Sequence, residues 1–217
     1  MAEPTRRGLL AAVGGFAAIG GCAALDRLAA AGGLAALGRL AAVGGPVAMG
    51  GRAAMAANDE TLAWAFDFPA IEGGRLALGA FTGRVLLVAN TASFCGYTYQ
   101  YEGLEKLHTA LGPQGLTVIG VPSQDFNQES PDDATVKTFC ETKFGIDFPL
   151  TGLSHVRGKQ AAPFYAWVRE IRQWEPKWNF NKVLIGRDGR IAGTFGSGDE
   201  PQGGKLGAAV ATALDTA

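Results

Sequence analysis

From residue 62 onward the apolar positions follow two rhythms. Alternation and short unbroken runs mark strands, while spacings of three and four mark helices. Leu62-Ala63-Trp64-Ala65-Phe66-Asp67-Phe68 alternates up to Pro69, which predicts a strand, and Arg75–Leu78 predicts a second after the turn at Gly73-Gly74. Phe81-Thr82-Gly83 turns the chain again into Val85–Ala89, an apolar run bounded by glycine and polar residues that reads as a fully buried strand. Tyr97, Tyr101, Leu104, Leu107 and Leu111 then recur at helical spacing. They predict a helix from about Thr98 to Leu111, ended by Gly112-Pro113. Leu116–Val121 is the next buried strand, and the polar loop Ser123–Ser130 follows Pro122.

Asp132-Asp133 opens a second helix, with acids in the first turn and Val136, Phe139 and Cys140 on one face, and Gly145 ends it. A third runs from Pro163 to Ile171 with Phe164, Trp167, Val168 and Ile171 along its apolar side. After a loop from Trp174 to Phe180, the segments Lys182–Ile185 and Arg190–Phe195 form a hairpin about Arg187-Asp188-Gly189. An alanine-rich helix from about Gly203 to Thr216 closes the chain. The order β-β-β-α-β-α-α-β-β-α contains a strand–helix–strand unit, which calls for a right-handed parallel crossover. The terminal hairpin adds antiparallel strands. The expected fold is α/β: a thioredoxin-like domain with a mixed central sheet, helices on both faces and an N-terminal hairpin extension.

Composition divides the chain at residue 57. Residues 1–57 are almost all Ala, Gly, Leu, Val and Arg, without Lys or Ser, and hold five arginines against two acids. The whole chain carries a net charge of −1, so residues 58–217 carry −4 and form a mildly acidic domain large enough for its own core. Thr5-Arg6-Arg7-Gly8-Leu9-Leu10 before a short apolar stretch resembles a bacterial twin-arginine (Tat) export signal. This places the protein in the periplasm or otherwise outside the cytoplasm. A small-residue cleavage pattern arrives only at Ala54-Met55-Ala56-Ala57, well past the ~15–30 residues usual for a signal. Three alternatives therefore stand beside export by this route. One is lipidation at Cys22 in Ile19-Gly20-Gly21-Cys22, which would give the protein a membrane anchor. Another is an organelle transit peptide. The last is a start codon assigned too far upstream, which would leave the protein cytoplasmic.

The near-neutral balance gives no reason to expect a nucleic-acid partner. Cys22, Cys95 and Cys140 lie far apart, as do His108 and His155, so neither a disulfide framework nor a metal site is expected, and the chemistry calls for no cofactor. It points instead to one thiol. Cys95 stands where the buried strand Val85–Ala89 gives way to a helix, a position at which the helix N-terminus stabilises a thiolate. A dithiol redox site would have a second cysteine at Thr98, so single-thiol chemistry is the expectation: attack on an electrophile such as a peroxide oxygen, giving a sulfenic acid. An inert cysteine packed under the helix is the plain alternative. The loop after Val121 follows the strand expected beside the Cys95 strand, where ligand sites of open α/β sheets lie, and offers Gln124 and Gln128. Trp178-Asn179 before the strand Lys182–Ile185 offers two neutral N–H donors that could stabilise a thiolate or a departing alkoxide, or could simply pack and cap a turn.

Together these stretches resemble the glutathione peroxidase family. Asn90-Thr91-Ala92-Ser93-x-Cys95-Gly96-Tyr97-Thr98 is similar to its active-site signature. Gly120-Val121-Pro122-Ser123 with Phe126 and Gln128-Glu129 is similar to its second motif, and Trp178-Asn179-Phe180 to its third. The resemblance implies a thioredoxin-like fold and a peroxidatic tetrad of Cys95, Gln128, Trp178 and Asn179. It also implies reduction of hydrogen peroxide and organic hydroperoxides, with glutathione or thioredoxin restoring Cys95 in a response to oxidative stress. Phe94 stands where the family often has Lys, and Tyr99 where Pro is frequent. The second motif has only Asn127 in place of two glycines, a shortening that would draw Gln128 away from Cys95. Cys140 falls one position before the site at which thioredoxin-using relatives carry a resolving cysteine, and one step on a helix is a turn of about 100°. Cys140 is therefore either a resolving thiol or a core residue. His108 and His155 read as surface residues. Arg157 and Lys159 read as solvated cations, or as a site for a glutathione carboxylate. A thiol:disulfide oxidoreductase of the same fold and a peroxide sensor or redox relay are the competing functions, and both would begin at Cys95.

Overall fold

A computed structural model describes residues 61–216; Cys22, the twin arginines and the rest of the leader lie outside the described residues. In chain order the strands are β1 (Asp67–Pro69), β2 (Arg75–Ala77), β3 (Val85–Thr91), β4 (Leu116–Pro122), β5 (Lys182–Ile185) and β6 (Ile191–Phe195). The helices are α1 (Gln100–Leu111), α2 (Asp133–Phe144), α3 (Pro163–Arg172) and α4 (Gly204–Asp215).

β1 and β2 pair as a short antiparallel hairpin, and the other four strands form one sheet in the order β4-β3-β5-β6. β3 is parallel to β4, from Val85↔Leu116 to Thr91↔Pro122, with α1 in the crossover between them. β5 runs antiparallel to β3, and β6 antiparallel to β5. Every residue of β3, β4 and β5 is buried, as expected of strands covered on both faces.

The period-2 geometry of β3 splits the core into two. Val85, Leu87 and Ala89 face a cluster built from α1, α2 and α4, with Tyr101, Leu104, Val136, Cys140, Leu206 and Val210 at its centre. Leu86 and Val88 face the other cluster, built from α3 and the N-terminal segment: Phe68, Leu78, Phe164, Trp167 and Val168.

The helix ends follow local chemistry. Asp132 accepts from the Thr135 N–H as the N-cap of α2, and Gly145, with φ 61°, closes that helix in the left-handed region. One expected strand is shorter than its pattern. Residues 63–65 form a 3-10 turn, and only Asp67–Pro69 pair in a ladder. Alternating large side chains here do not line a sheet face. Ala63 donates its N–H to Gly189 O, and Phe66 turns its ring onto Trp167 at 5.2 Å between centroids, so the segment is fixed by side-chain packing against α3.

Candidate active site

The segments that carry chemistry meet at the carboxyl ends of β3 and β4. β5 is antiparallel to β3, so its first residue, Lys182, lies opposite Ala89 and the Trp178-Asn179 turn arrives at that same end of the sheet. This is the edge at which parallel α/β sheets place their ligands.

Cys95 stands in a tight turn between β3 and α1 and is 8% exposed. The Tyr97 N–H points at its Sγ at 3.4 Å. Thr98, in the place of a second redox cysteine, works on the backbone. Its Oγ1 accepts from the Cys95 N–H at 3.1 Å, and its hydroxyl lies 2.7 Å from Cys95 O and 3.0 Å from Ala92 O. Successive bonds from Thr98, Gln100, Tyr101 and Glu102 N–H back to the carbonyls three residues earlier wind the turn into α1. The thiol thus sits just ahead of a helix with one backbone amide, that of Tyr97, aimed at its sulfur.

The loop after β4 closes onto this turn. Gln128 O accepts from the Phe94 N–H at 2.9 Å. Glu129 Oε1 accepts from Ser93 N–H at 3.2 Å and from Ser130 N–H at 2.8 Å. The residues on the amino side of Cys95 are therefore clasped twice. Despite the shortened loop, Gln128 is held at this edge. Asn127 takes a positive φ of 55°, which asparagine tolerates better than most residues, and so performs the tight turn without glycine. Gln124 donates its Nε2 to Ser130 O at 3.0 Å within the loop.

The third segment is fixed by asparagines. Asn90 at the end of β3 donates its Nδ2 to Trp178 O at 3.1 Å and accepts from the Asn181 N–H at 3.0 Å. Its carbonyl takes the Phe180 N–H at 2.6 Å, and Phe180 itself adopts a positive φ of 59°. Asn179 is wholly buried and donates its Nδ2 to Gln128 Oε1 at 2.9 Å. Gln128 and Asn179, far apart in the chain, thus form one polar unit beside the Cys95 turn. Trp178 lies half in solvent with its ring against Phe126 at 5.4 Å, and the Arg157 guanidinium covers Phe126 at 5.3 Å.

A glutathione peroxidase family profile matches residues 63–169. The hydroperoxy fatty acid reductase gpx1 of Synechocystis sp. is 36% identical over 158 residues, covering 68% of this chain and 94% of the relative. The chain belongs to the glutathione peroxidase family. A protein of Lactococcus lactis named glutathione peroxidase is also 36% identical, over 144 residues that cover 63% of this chain and 92% of its own. Among solved structures, Trgpx in apo form superposes with a TM-score of 0.58 at 31% identity, covering 72% of this chain and 97% of that one. GPX1 of T. cruzi gives 0.57 at 27%, covering 71% and 97%. A thiol:disulfide interchange protein of Chlorobium tepidum shares only the thioredoxin-like fold, at 15% identity and a TM-score of 0.52. As a member of the glutathione peroxidase family the protein is an oxidoreductase that reduces peroxides with electrons from thiols.

Cys140 lies on the core-facing side of α2, wholly buried, and burial pushes its thiol up to about 11. The other expected residues have structural partners. His108 is half-buried and accepts the Val118 N–H at 3.2 Å, while His155 is exposed and pairs with Asp125 at 2.6 Å. Arg157 and Lys159 are exposed.

Sequence reasoning gave no role to Asn90, Glu129 or Lys182. A polar residue closing an all-apolar run was the available signal for Asn90, and a charged residue opening one for Lys182. Burial raises the Glu129 carboxyl above its usual range, opposed by its polar contacts to Ser93 and Ser130. Its Oε2 is buried with no close hydrogen-bond partner among the described residues.

Proposed function

We propose that the protein reduces hydrogen peroxide and organic hydroperoxides through a sulfenic acid on Cys95. The thiolate attacks one peroxide oxygen, the O–O bond breaks, and the departing oxygen leaves as water or an alcohol after taking a proton. A thiol then attacks the sulfenic sulfur, releasing water and forming a mixed disulfide, and a second thiol releases Cys95 and leaves as a disulfide. Glutathione or thioredoxin is the reductant class. The observation that carries this reading is the Asn179–Gln128 hydrogen bond beside a turn whose Phe94 N–H is bonded to Gln128 O. It holds two neutral side-chain amides next to the Cys95 turn, which supports their acting as donors to the leaving oxygen.

Phe94, Tyr99 and Trp178 are 67%, 53% and 41% exposed and come from the two segments that carry Cys95 and Asn179. An apolar rim of this kind suits a hydroperoxide with a hydrocarbon body, and the Synechocystis relative carries the name of a fatty acid hydroperoxide reductase. The burial of Cys140 favours a packing role for it, with the external thiol acting on Cys95 itself. Steady-state assays with hydrogen peroxide and an apolar hydroperoxide, each with glutathione and with thioredoxin, test the reading. Sustained turnover is expected from the wild type and none from Cys95→Ser. One oxidation event without turnover would instead identify a sensor or relay.

The leader supports export through the twin-arginine route, carried by Arg6-Arg7 ahead of an apolar stretch, with membrane attachment if Cys22 is lipidated. N-terminal sequencing of the mature protein decides it: a start near residue 58 supports export with cleavage, a modified Cys22 supports an anchor, and an intact leader removes both.

A further inference from the structure

Lys182 is the first residue of β5 and is wholly buried, which is rare for a lysine. Among the described residues no carboxylate touches its ammonium. Nζ donates to Gln100 Oε1 at 2.5 Å and to the backbone oxygen of Asp199 at 2.7 Å. Glu200 and Asp199 favour the charge from nearby, yet burial dominates and the group is pushed down to about 8. A hydrocarbon side chain would fill this space without that cost, so what the lysine adds is the placement of its partners.

Those partners close a circuit around the site. Gln100 is the first residue of α1, the helix that begins at the Cys95 turn. It accepts from Lys182 and donates its Nε2 to Ser197 O at 2.7 Å. Ser197 donates its hydroxyl to Asn179 O at 2.6 Å and accepts from Asn181 Nδ2 at 2.8 Å. From Asn179 the backbone returns to Lys182. One side of the circuit is the start of the Cys95 helix; the other is the turn that presents Asn179. Gln100 is 1% exposed, so solvent does not replace these bonds when one is removed.

We propose that Lys182 is a positioning residue of the peroxidatic site, setting through Gln100 and Ser197 the separation between the Cys95 turn and the Asn179 donor. The inference rests on the assignment of Cys95 and Asn179 made above. It implies that the buried ammonium matters to the reaction with peroxide while leaving the accessibility of the thiol alone.

The test compares two rates on Cys95 in the full-length reduced protein. One is sulfenic acid formation by hydrogen peroxide without reductant, trapped with dimedone and read by peptide mass spectrometry. The other is alkylation by iodoacetamide, which needs a thiolate but no donor for a leaving oxygen. For Lys182→Met, peroxide oxidation is expected to fall at least tenfold while alkylation stays within twofold. Gln100→Leu is expected to give the same split, and the double variant to lose no more than the worse single one. An equal change in both rates, an unchanged peroxide rate, or losses that multiply in the double variant would overturn the proposal. If Lys182→Met does not fold by far-ultraviolet circular dichroism, Gln100→Leu alone decides. A wild-type Cys95 that peroxide leaves unoxidised removes the underlying assignment, and with it this inference.

Discussion

Asn179 gives its side-chain amide to Gln128 Oε1 at 2.9 Å, joining the turn before β5 to the loop after β4. Each amide fixes the orientation of the other. Asn179→Ala removes a buried donor and frees Gln128, and peroxide reduction is expected to drop about 100-fold, the usual scale for a lost oxyanion donor. Gln128→Ala should cost roughly tenfold or more on the same reasoning. The double variant should lose little beyond Asn179→Ala alone, because the two act as a unit. Second-order rate constants with hydrogen peroxide for the three variants check this, and additive losses would show two independent residues.

The thiol of Cys140, held near 11 by burial, is about one part in a thousand thiolate at pH 8. Cys140→Ala is expected to keep turnover within twofold of wild type and to cost about 1 kcal/mol of stability from the space left between α2 and the core. Peroxide without added reductant should leave no Cys95–Cys140 disulfide in peptide maps. Its appearance would make Cys140 a resolving thiol and require α2 to open during the cycle.

Glu129 supplies a pH signature. Burial places its folded-state pKa above the unfolded 4.5, so the protonated carboxyl is the form the fold prefers. The stability it contributes is complete below pH 4.5 and is lost as pH rises through the folded value. Glu129→Gln keeps an acceptor for Ser93 and Ser130 N–H without the charge. It is expected to raise the urea midpoint at pH 7–8, with the gain shrinking to nothing toward pH 4. A gain independent of pH would mean that the charge of Glu129 carries no cost in the fold.

Phe94 is the most exposed of the three aromatic residues around the site. Phe94→Ala should weaken the KM for a long-chain hydroperoxide by roughly fivefold, the equivalent of about 1 kcal/mol of apolar contact. The kinetics with hydrogen peroxide should stay unchanged. Equal effects on both substrates would place Phe94 in the folding of the turn instead of in recognition.

The frame was legible because its signals are local. The run Val85–Ala89 gives a buried strand, the spacing from Tyr97 to Leu111 gives a helix, and Cys95 between them follows from both. The α2 boundaries were equally plain, since an Asp cap and a closing glycine act within one turn. Lys182 was not legible. A charged residue in a sequence suggests exposure, and its acceptors are the side chain of Gln100, 82 positions away, and a backbone oxygen that no residue type encodes. The turn at 63–65 was hidden for the opposite reason: its alternation is real, but the large side chains pack on α3 and the Gly189 turn instead of on a sheet face. The path of the loop that carries Gln124 and Gln128 depends on the positive φ of Asn127, a backbone state that the sequence permits without specifying.

Both clasps of the site end on or just beyond β3. Asn90 holds the Trp178–Asn181 turn, and Ser93 and Phe94 receive the loop that carries Gln128. β3 is an interior strand, paired on each side and covered on each face. The segments that carry Gln128 and Asn179 are thus tied to the central strand of the domain. In hydrogen exchange the amides of Ser93, Phe94, Phe180 and Asn181 should keep time with unfolding of the whole domain, while the exposed aromatic side chains around them fluctuate freely. The protein can loosen the entrance for a bulky peroxide without loosening the chemistry behind it.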